Sequence, residues 1–198
     1  MNLPNKITVV RIFGAILLLV LLMFPFSAIG FEFPKYLIGG KVLVDLKYLI
    51  GGVIFFLAAF TDFVDGYIAR KYNMVTDFGK VMDAIADKML VNGVLIVLAV
   101  NGYLSVVIPV VVIIRDIAVD SIKMIVGQKK EAVGASKLGK LKTVFMLVGI
   151  TLIFFYNLPF ELINLRIAEV CILIATVLSV VSGFEYYYKS KKLISSAE

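Results

Sequence analysis

Long apolar runs separated by short polar breaks set the pattern of this chain. They fall at Ile7–Gly30, Tyr48–Ala69, Val81–Val100, Leu104–Ile125, Leu141–Leu158 and Leu162–Tyr187. Each is long enough to cross a hydrocarbon core of about 30 Å as a helix. A helix satisfies its own backbone polar groups there, which an open strand cannot do. Asn101-Gly102 predicts a tight turn between the third and fourth runs, and Asn157-Leu158-Pro159 separates the fifth and sixth. The expected fold is an all-α integral membrane protein of six transmembrane helices, forming a single domain over residues 1–198.

The basic residues predict its orientation. Lys6 and Arg11 lie near the start, and Arg70, Lys71 and Lys80 lie between the second and third runs. Lys123, Lys129, Lys130, Lys137, Lys140 and Lys142 lie between the fourth and fifth, and Lys189, Lys191 and Lys192 follow the sixth. Segments 101–103 and 157–161 hold no Lys or Arg. Both termini and both basic loops are therefore expected in the cytoplasm, in a multi-pass protein of the cell membrane. Segment 31–47 opposes this pattern, with Lys35, Lys41 and Lys47 against Glu32 and Asp45.

Composition narrows the function classes. With 61% of residues hydrophobic and 17% charged, a soluble domain, a disordered chain and a disulfide scaffold are excluded. The net charge of +6 lies between apolar runs, which favours anionic lipid head groups and phosphate substrates over nucleic acid. There is no histidine, so histidine triads and histidine metal sites are excluded. The single cysteine, Cys171, is expected to be a buried thiol, and the N-terminus is not expected to be a cleaved signal. Gly51, Gly52, Ala58 and Ala59 predict close helix packing, and Tyr186, Tyr187 and Tyr188 an interface anchor.

The carboxylates of the second and third runs carry the candidate chemistry. At 100° per residue, Asp65, Gly66 and Ala69 all fall within about 60° of Asp62 on one helix. Gly79, Asp83 and Asp87 share a stripe on the next, and the short connection makes the two helices antiparallel neighbours. One carboxylate at the centre of a membrane costs about 2.5–3.5 kcal/mol, so four would cost up to about 10–14 kcal/mol, less near the interface. Two divalent cations would neutralise four carboxylates, and an all-oxygen ligand set favours Mg²⁺ or Mn²⁺. Two such ions on shared carboxylates form a clamp for in-line displacement at phosphorus. Gly66, Ala69 and Gly79 leave room for a bulky ligand, and Arg70 suits a phosphate. Plainer readings are salt bridges to Arg70, Lys80 and Lys88 in a structural scaffold, or carboxylates lining a divalent-cation channel or transporter. The channel leaves Arg70 and the small residues unexplained, and the acids gather at one side of the membrane.

Asp62, Asp65, Gly66, Ala69, Arg70, Gly79, Asp83 and Asp87 fill the pattern D-x2-D-G-x2-A-R-x8-G-x3-D-x3-D. This resembles the signature of the CDP-alcohol phosphatidyltransferases at every fixed position. The opening Asn5-Lys-Ile-Thr8-Val-Val-Arg11, the Arg115 region and Gly139-Lys140-Leu-Lys142-Thr143 are most similar to the phosphatidylglycerophosphate synthases within that family. The resemblance implies six transmembrane helices paired into a homodimer, with a cytosol-facing polar cavity for a CDP-linked lipid. It implies that Asp62, Asp65 and Asp83 bind metal, and that Asp87 completes the second metal site and acts as general base. Gly66, Ala69, Arg70 and Gly79 would contact the cytidine diphosphate, with Asn5 and Thr8 helping to close over the nucleotide. The implied reaction transfers a phosphatidyl group from CDP-diacylglycerol to sn-glycerol 3-phosphate. Arg115 and Lys140 would meet the acceptor phosphate, followed by Lys123 and Lys137, with Lys142 divided between that role and ordinary cytoplasmic charge. Arg115 has Asp116 or Asp120 as alternative, structural partners. Ala84 stands where the synthases often have proline, Lys123 where they often have arginine, and Asp116 with Asp120 forms an additional acidic pair. Serine, inositol phosphate and phosphatidylglycerol are the other acceptors open within the family.

Overall fold

A computed structural model of the protein describes residues 3–72, 76–128 and 136–195; the side chains at 3, 4, 63, 65, 67–70, 77, 78, 80, 128 and 192–195 lie outside that description. Its long helices are α1 (Leu3–Met23), α2 (Leu46–Lys71), α3 (Asp77–Val100), α4 (Val107–Gln128), α5 (Lys137–Phe154) and α6 (Ile167–Ser195). A hairpin of β1 (Lys35–Ile38) and β2 (Val42–Asp45) interrupts the helical order.

Local chemistry sets the helix limits and corrects several expected boundaries. The first apolar run does not stay helical to Gly30: α1 stops at Met23, ahead of Pro25, and Phe26–Ile29 forms a separate 3₁₀ turn. Proline disfavours helical backbone at the residue before it and lacks an N–H to continue the ladder. Thr76 caps α3 by accepting the Gly79 N–H at 3.0 Å, and Ser136 caps α5 by accepting the Gly139 N–H at 3.0 Å. Both helices therefore begin a turn earlier than their apolar runs. The fifth run also ends early. After Phe154 the backbone turns left-handed at Tyr156 and Asn157, and α6 begins only at Ile167. Buried Asn157 organises this break: its Nδ2 donates to Glu161 Oε2 and Leu165 O, while its Oδ1 accepts the Ala168 N–H at 3.0 Å.

A short hairpin stands within the expected all-helical architecture. β1 and β2 pair antiparallel from Lys35↔Asp45 to Ile38↔Val42, and the turn places Gly39 and Gly40 at φ of 59° and 68°. A tight hairpin turn needs positive φ at both central residues, which two glycines supply without strain. Two of the three dissenting cations of segment 31–47 meet partners in the fold. Lys41 donates to Leu162 O at 3.4 Å, and the Lys47 ammonium lies 5.6 Å from the Phe26 ring centre.

The helices pack as α1 on α2 and α3, α5 and α4 on α6, and α2 on α5. Leu18, Phe55, Leu95, Met146, Ile150, Phe154 and Ile172 are fully buried between them. A Cβ at Gly52 would lie 2.7 Å from Phe154 Cβ, so the α2–α5 contact requires glycine there. The outer faces are apolar as well. On α1, Val10, Phe13 and Leu17 are more than half exposed, and Val170, Leu173, Val177 and Phe184 repeat this on α6. A helix apolar on all sides belongs in lipid. Among the described residues, α1 over Asn5–Met23 and α6 over Ile167–Lys191 are long and apolar enough to cross a membrane. Charged residues fall inside α3, α4 and α5 themselves. These features describe a membrane protein that is predominantly helical.

Candidate active site

Three polar residues of α1 organise the acidic end of the bundle. Asn5, Thr8 and Arg11 follow at three-residue spacing, so they climb one side of the helix. Asn5 and Thr76 hydrogen-bond through their side chains at 3.3 Å. Thr8 Oγ1 donates to Asp83 Oδ1 at 2.6 Å. The Arg11 side chain is fully buried, and one of its terminal nitrogens donates to Asp62 Oδ1 at 2.5 Å. The same nitrogen lies 3.7 Å from Asp87 Oδ1 and 3.9 Å from Asp83 Oδ1. Three carboxylates from α2 and α3 thus converge on one guanidinium from α1.

Arg11 is a cation outside the set expected from the sequence; of that set Lys88 is described, while the side chains of Arg70 and Lys80 lie outside the described residues. Asp62, Asp83 and Asp87 meet Arg11, while Lys88 turns away to Asp120 on α4. In the sequence Arg11 belongs to the N-terminal charge and the opening motif. Its legible signal was an arginine inside an otherwise apolar run, which needs a buried partner. Gly79 also has a different surrounding from the open space expected of it. A Cβ there would meet Asn5 Oδ1 at 2.7 Å and Thr76 Oγ1 at 3.0 Å, so α1 itself fills the space. Gly66 is half-buried on α2, while the side chains of Asp65, Ala69 and Arg70 lie outside the described residues.

The carboxylates stay accessible: the side chains of Asp62, Asp83 and Asp87 are 41%, 44% and 52% exposed. Among the described residues no group of three or more acidic or thiol side chains is arranged to hold a metal ion. The donor chemistry nevertheless suits a hard cation, because carboxylate oxygens from two helices already face a single positive centre.

A cavity of about 290 Å³ joins this acidic end to a basic one. Asp62 and Asp87 line one part, and Lys88, Arg115, Lys123 and Lys142 line the other together with Asp116 and Asp120. Asp83 is bound to Thr8 and is not among the lining residues. Arg115 is committed to its neighbours: Nε donates to Ser179 O at 2.8 Å, one terminal nitrogen to Ser182 Oγ at 2.8 Å, and the other to Asp116 Oδ1 at 2.9 Å. It therefore ties α4 to α6, and its structural alternative with Asp116 is the one observed. Lys142 Nζ donates to the same Asp116 oxygen at 2.7 Å. Lys137 and Lys140 are exposed and do not line the cavity. The helical repeat gives the reason: at 100° per residue, Lys140 lies about 160° around α5 from Lys142, and Lys137 about 140°.

Comparison with known proteins agrees with this arrangement of residues. Residues 1–181 match the CDP-alcohol phosphatidyltransferase family. A CDP-diacylglycerol–glycerol-3-phosphate 3-phosphatidyltransferase of Bacillus subtilis (strain 168) is 35% identical over 196 residues, covering 99% of this chain and 98% of the relative. A protein of the same name from Rickettsia bellii (strain RML369-C) is 32% identical over 192 residues, 96% of each chain. Another, from Mycoplasma genitalium (strain ATCC 33530 / DSM 19775 / NCTC 10195 / G37), is 38% identical over 150 residues, 75% of this chain and 63% of the relative. With the motif complete and the match running nearly end to end, this chain belongs to the CDP-alcohol phosphatidyltransferase family and is a transferase.

Proposed function

We propose that the protein transfers the phosphatidyl group of CDP-diacylglycerol to sn-glycerol 3-phosphate, releasing CMP and forming phosphatidylglycerol phosphate. The observation that carries this reading is the two-ended cavity, with carboxylates at Asp62 and Asp87 and cations at Lys123 and Lys142 in one space. The names of the relatives support the same pair of substrates. An acceptor that carries its own phosphate needs the cationic end, whereas a neutral acceptor such as serine does not. The apolar groove between α1 and α2, about 420 Å³ and lined by Val10, Ile54 and Leu57 up to Arg11, suits an acyl chain of the lipid donor.

In this reading Asp62, Asp65, Asp83 and Asp87 hold two divalent cations, Mg²⁺ or Mn²⁺. Bound there, the cations neutralise the carboxylates and stabilise charge on the transferring phosphoryl oxygens and on departing CMP. Asp87 accepts the proton of the attacking acceptor hydroxyl. That hydroxyl oxygen forms the new bond to the phosphorus bearing the diacylglycerol, and the bond from this phosphorus to the bridging oxygen breaks, leaving its electron pair on CMP. Arg70, Gly66, Ala69 and Gly79 receive the nucleotide. Asn5 and Thr8 hold α1 beside it, and Thr8 orients Asp83. The enzyme works as a homodimer of six-span chains in the cell membrane, with both termini and the cavity on the cytoplasmic side. The distribution of Lys and Arg supports that orientation.

The test is CMP release by the purified protein given CDP-diacylglycerol and one acceptor at a time. Release with sn-glycerol 3-phosphate is expected. Release with serine, inositol phosphate or phosphatidylglycerol, and none with sn-glycerol 3-phosphate, would refute the acceptor assignment.

A further inference from the structure

The basic wall of the cavity contains a lysine with no place in the reading above. Lys88 follows Asp87 on α3, so it leaves the helix about 100° away from its neighbour. It crosses to α4 and donates to Asp120 Oδ2. Lys123, one turn along α4 from Asp120, lies 3.5 Å from the other oxygen, Oδ1. One carboxylate therefore gathers two ammonium groups from two helices, and all three side chains line the same cavity as Asp62 and Asp87.

Burial and charge assign this trio a task. The side chains of Lys88, Lys123 and Asp120 are 45%, 57% and 30% exposed. Ion pairs this open to water contribute little to folding, so stability does not account for holding two long lysines together. Without Asp120 the two ammonium groups would repel and spread. Arg115 is already fixed by Ser179, Ser182 and Asp116, whereas the two lysines keep exposed donors free to take another oxygen ligand. Four cations, Lys88, Arg115, Lys123 and Lys142, stand against two carboxylates, Asp116 and Asp120, leaving +2 on this wall. A phosphomonoester carries about −1.5 to −2 at neutral pH and complements that charge.

We infer that Lys88 is a ligand of the acceptor's phosphomonoester, and that Asp120 positions it by tying Lys88 of α3 to Lys123 of α4. The inference rests on the proposed function, since it requires an acceptor that carries phosphate.

The experiment measures initial rates of CMP release by the full-length protein in mixed micelles. Each substrate is varied in turn for Lys88→Gln, Lys88→Arg, Asp120→Asn and the Lys88→Gln/Asp120→Asn double variant. Lys88→Gln raises KM for sn-glycerol 3-phosphate about ten-fold, equivalent to about 1.4 kcal/mol. KM for CDP-diacylglycerol stays near the native value, and Lys88→Arg recovers most of the loss. Asp120→Asn raises the acceptor KM by a smaller factor, and the double variant is no worse than Lys88→Gln because Asp120 acts through Lys88. An unchanged acceptor KM in Lys88→Gln, or an equal rise in both KM values, would overturn the inference. Should Lys88→Gln not fold, Asp120→Asn with an unchanged acceptor KM would overturn it equally. If the native protein uses a non-phosphorylated acceptor instead, the substrate reading itself fails and the inference falls with it, an outcome visible before any variant is made.

Discussion

Replacing Arg11 with methionine keeps much of the apolar stem and deletes one buried charge at the point where three carboxylates meet. Arg11 is fully buried, while the side chains facing it are 41–52% exposed, so the cost lies between two limits. Breaking a fully buried pair costs about 3–5 kcal/mol, and an exposed pair is worth about 0.2–1 kcal/mol. With one partner buried and the others half-open to water, the expected loss is about 1–3 kcal/mol. Coulomb scaling over 2.5, 3.7 and 3.9 Å gives Asp62 roughly 1.5 times the attraction of either other carboxylate, so Asp62 carries the largest share. For a chain of this length the loss corresponds to a fall in Tm of about 2–12 °C. Thermal unfolding of the detergent-solubilised protein in EDTA and in excess Mg²⁺ reads it. Arg11→Met is expected to melt lower in EDTA, and added Mg²⁺ to raise its Tm more than that of the native protein, because guanidinium and metal claim the same oxygens. In an Asp62→Asn background the Arg11→Met loss should shrink. A native Tm in EDTA, or an undiminished loss in the Asp62→Asn background, would refute the reasoning.

Three further substitutions separate the chemistry from the scaffold. Asp83→Asn and Asp87→Asn should each abolish CMP release, with Asp87→Asn largely sparing binding of the nucleotide lipid; normal turnover in both would remove the assigned roles. Tyr156→Phe removes the hydroxyl that accepts the Asp45 N–H at 3.0 Å, a loss of about 1 kcal/mol. Asp45 immediately precedes α2, and Asp62 lies sixteen residues along that helix, about 24 Å away. Faster amide exchange at the hairpin with unchanged CMP release is therefore expected.

The legible part of the site was the part written within single helices. Asp62, Asp65 and Gly66 on α2, and Gly79, Asp83 and Asp87 on α3, are related by a fixed repeat, so their stripes followed from spacing alone. What joins those helices was not legible. Arg11 acts on Asp62 across 51 positions of sequence, and Thr8 on Asp83 across 75. No periodicity connects such residues, and only an arginine stranded among apolar neighbours hinted at the link. The sequence favours Lys140 over Lys142 for the basic wall, although the two leave α5 on nearly opposite sides. Helix ends shifted for a similar reason: hydropathy cannot see a capping hydroxyl, whereas Thr76 and Ser136 extend α3 and α5 past their apolar runs. The hairpin did have a local signal, the Gly39-Gly40 pair between two short β-branched and aromatic stretches. The charge pattern of segment 31–47 does not report it, because the turn is set by backbone φ at the two glycines.

Charge explains why the two ends of the cavity belong together. Asp62 and Asp87 line one part of the cavity, and four cations against two carboxylates, a net +2, line the other, so opposite charges share one space. Neither end would be comfortable alone among apolar helices, where unbalanced charge is expensive. In the proposed reaction the same balance would dictate how two anionic substrates divide the space. A phosphate supplies the charge that the basic wall lacks and needs no metal to enter there. In the proposed reaction a pyrophosphate approaching Asp62 and Asp87 meets carboxylates of its own sign. On the proposed reading the donor would therefore depend on divalent cations and the acceptor on lysines. On that reading, with both bound, the acceptor hydroxyl would lie between the basic wall that holds its phosphate and the carboxylate that takes its proton.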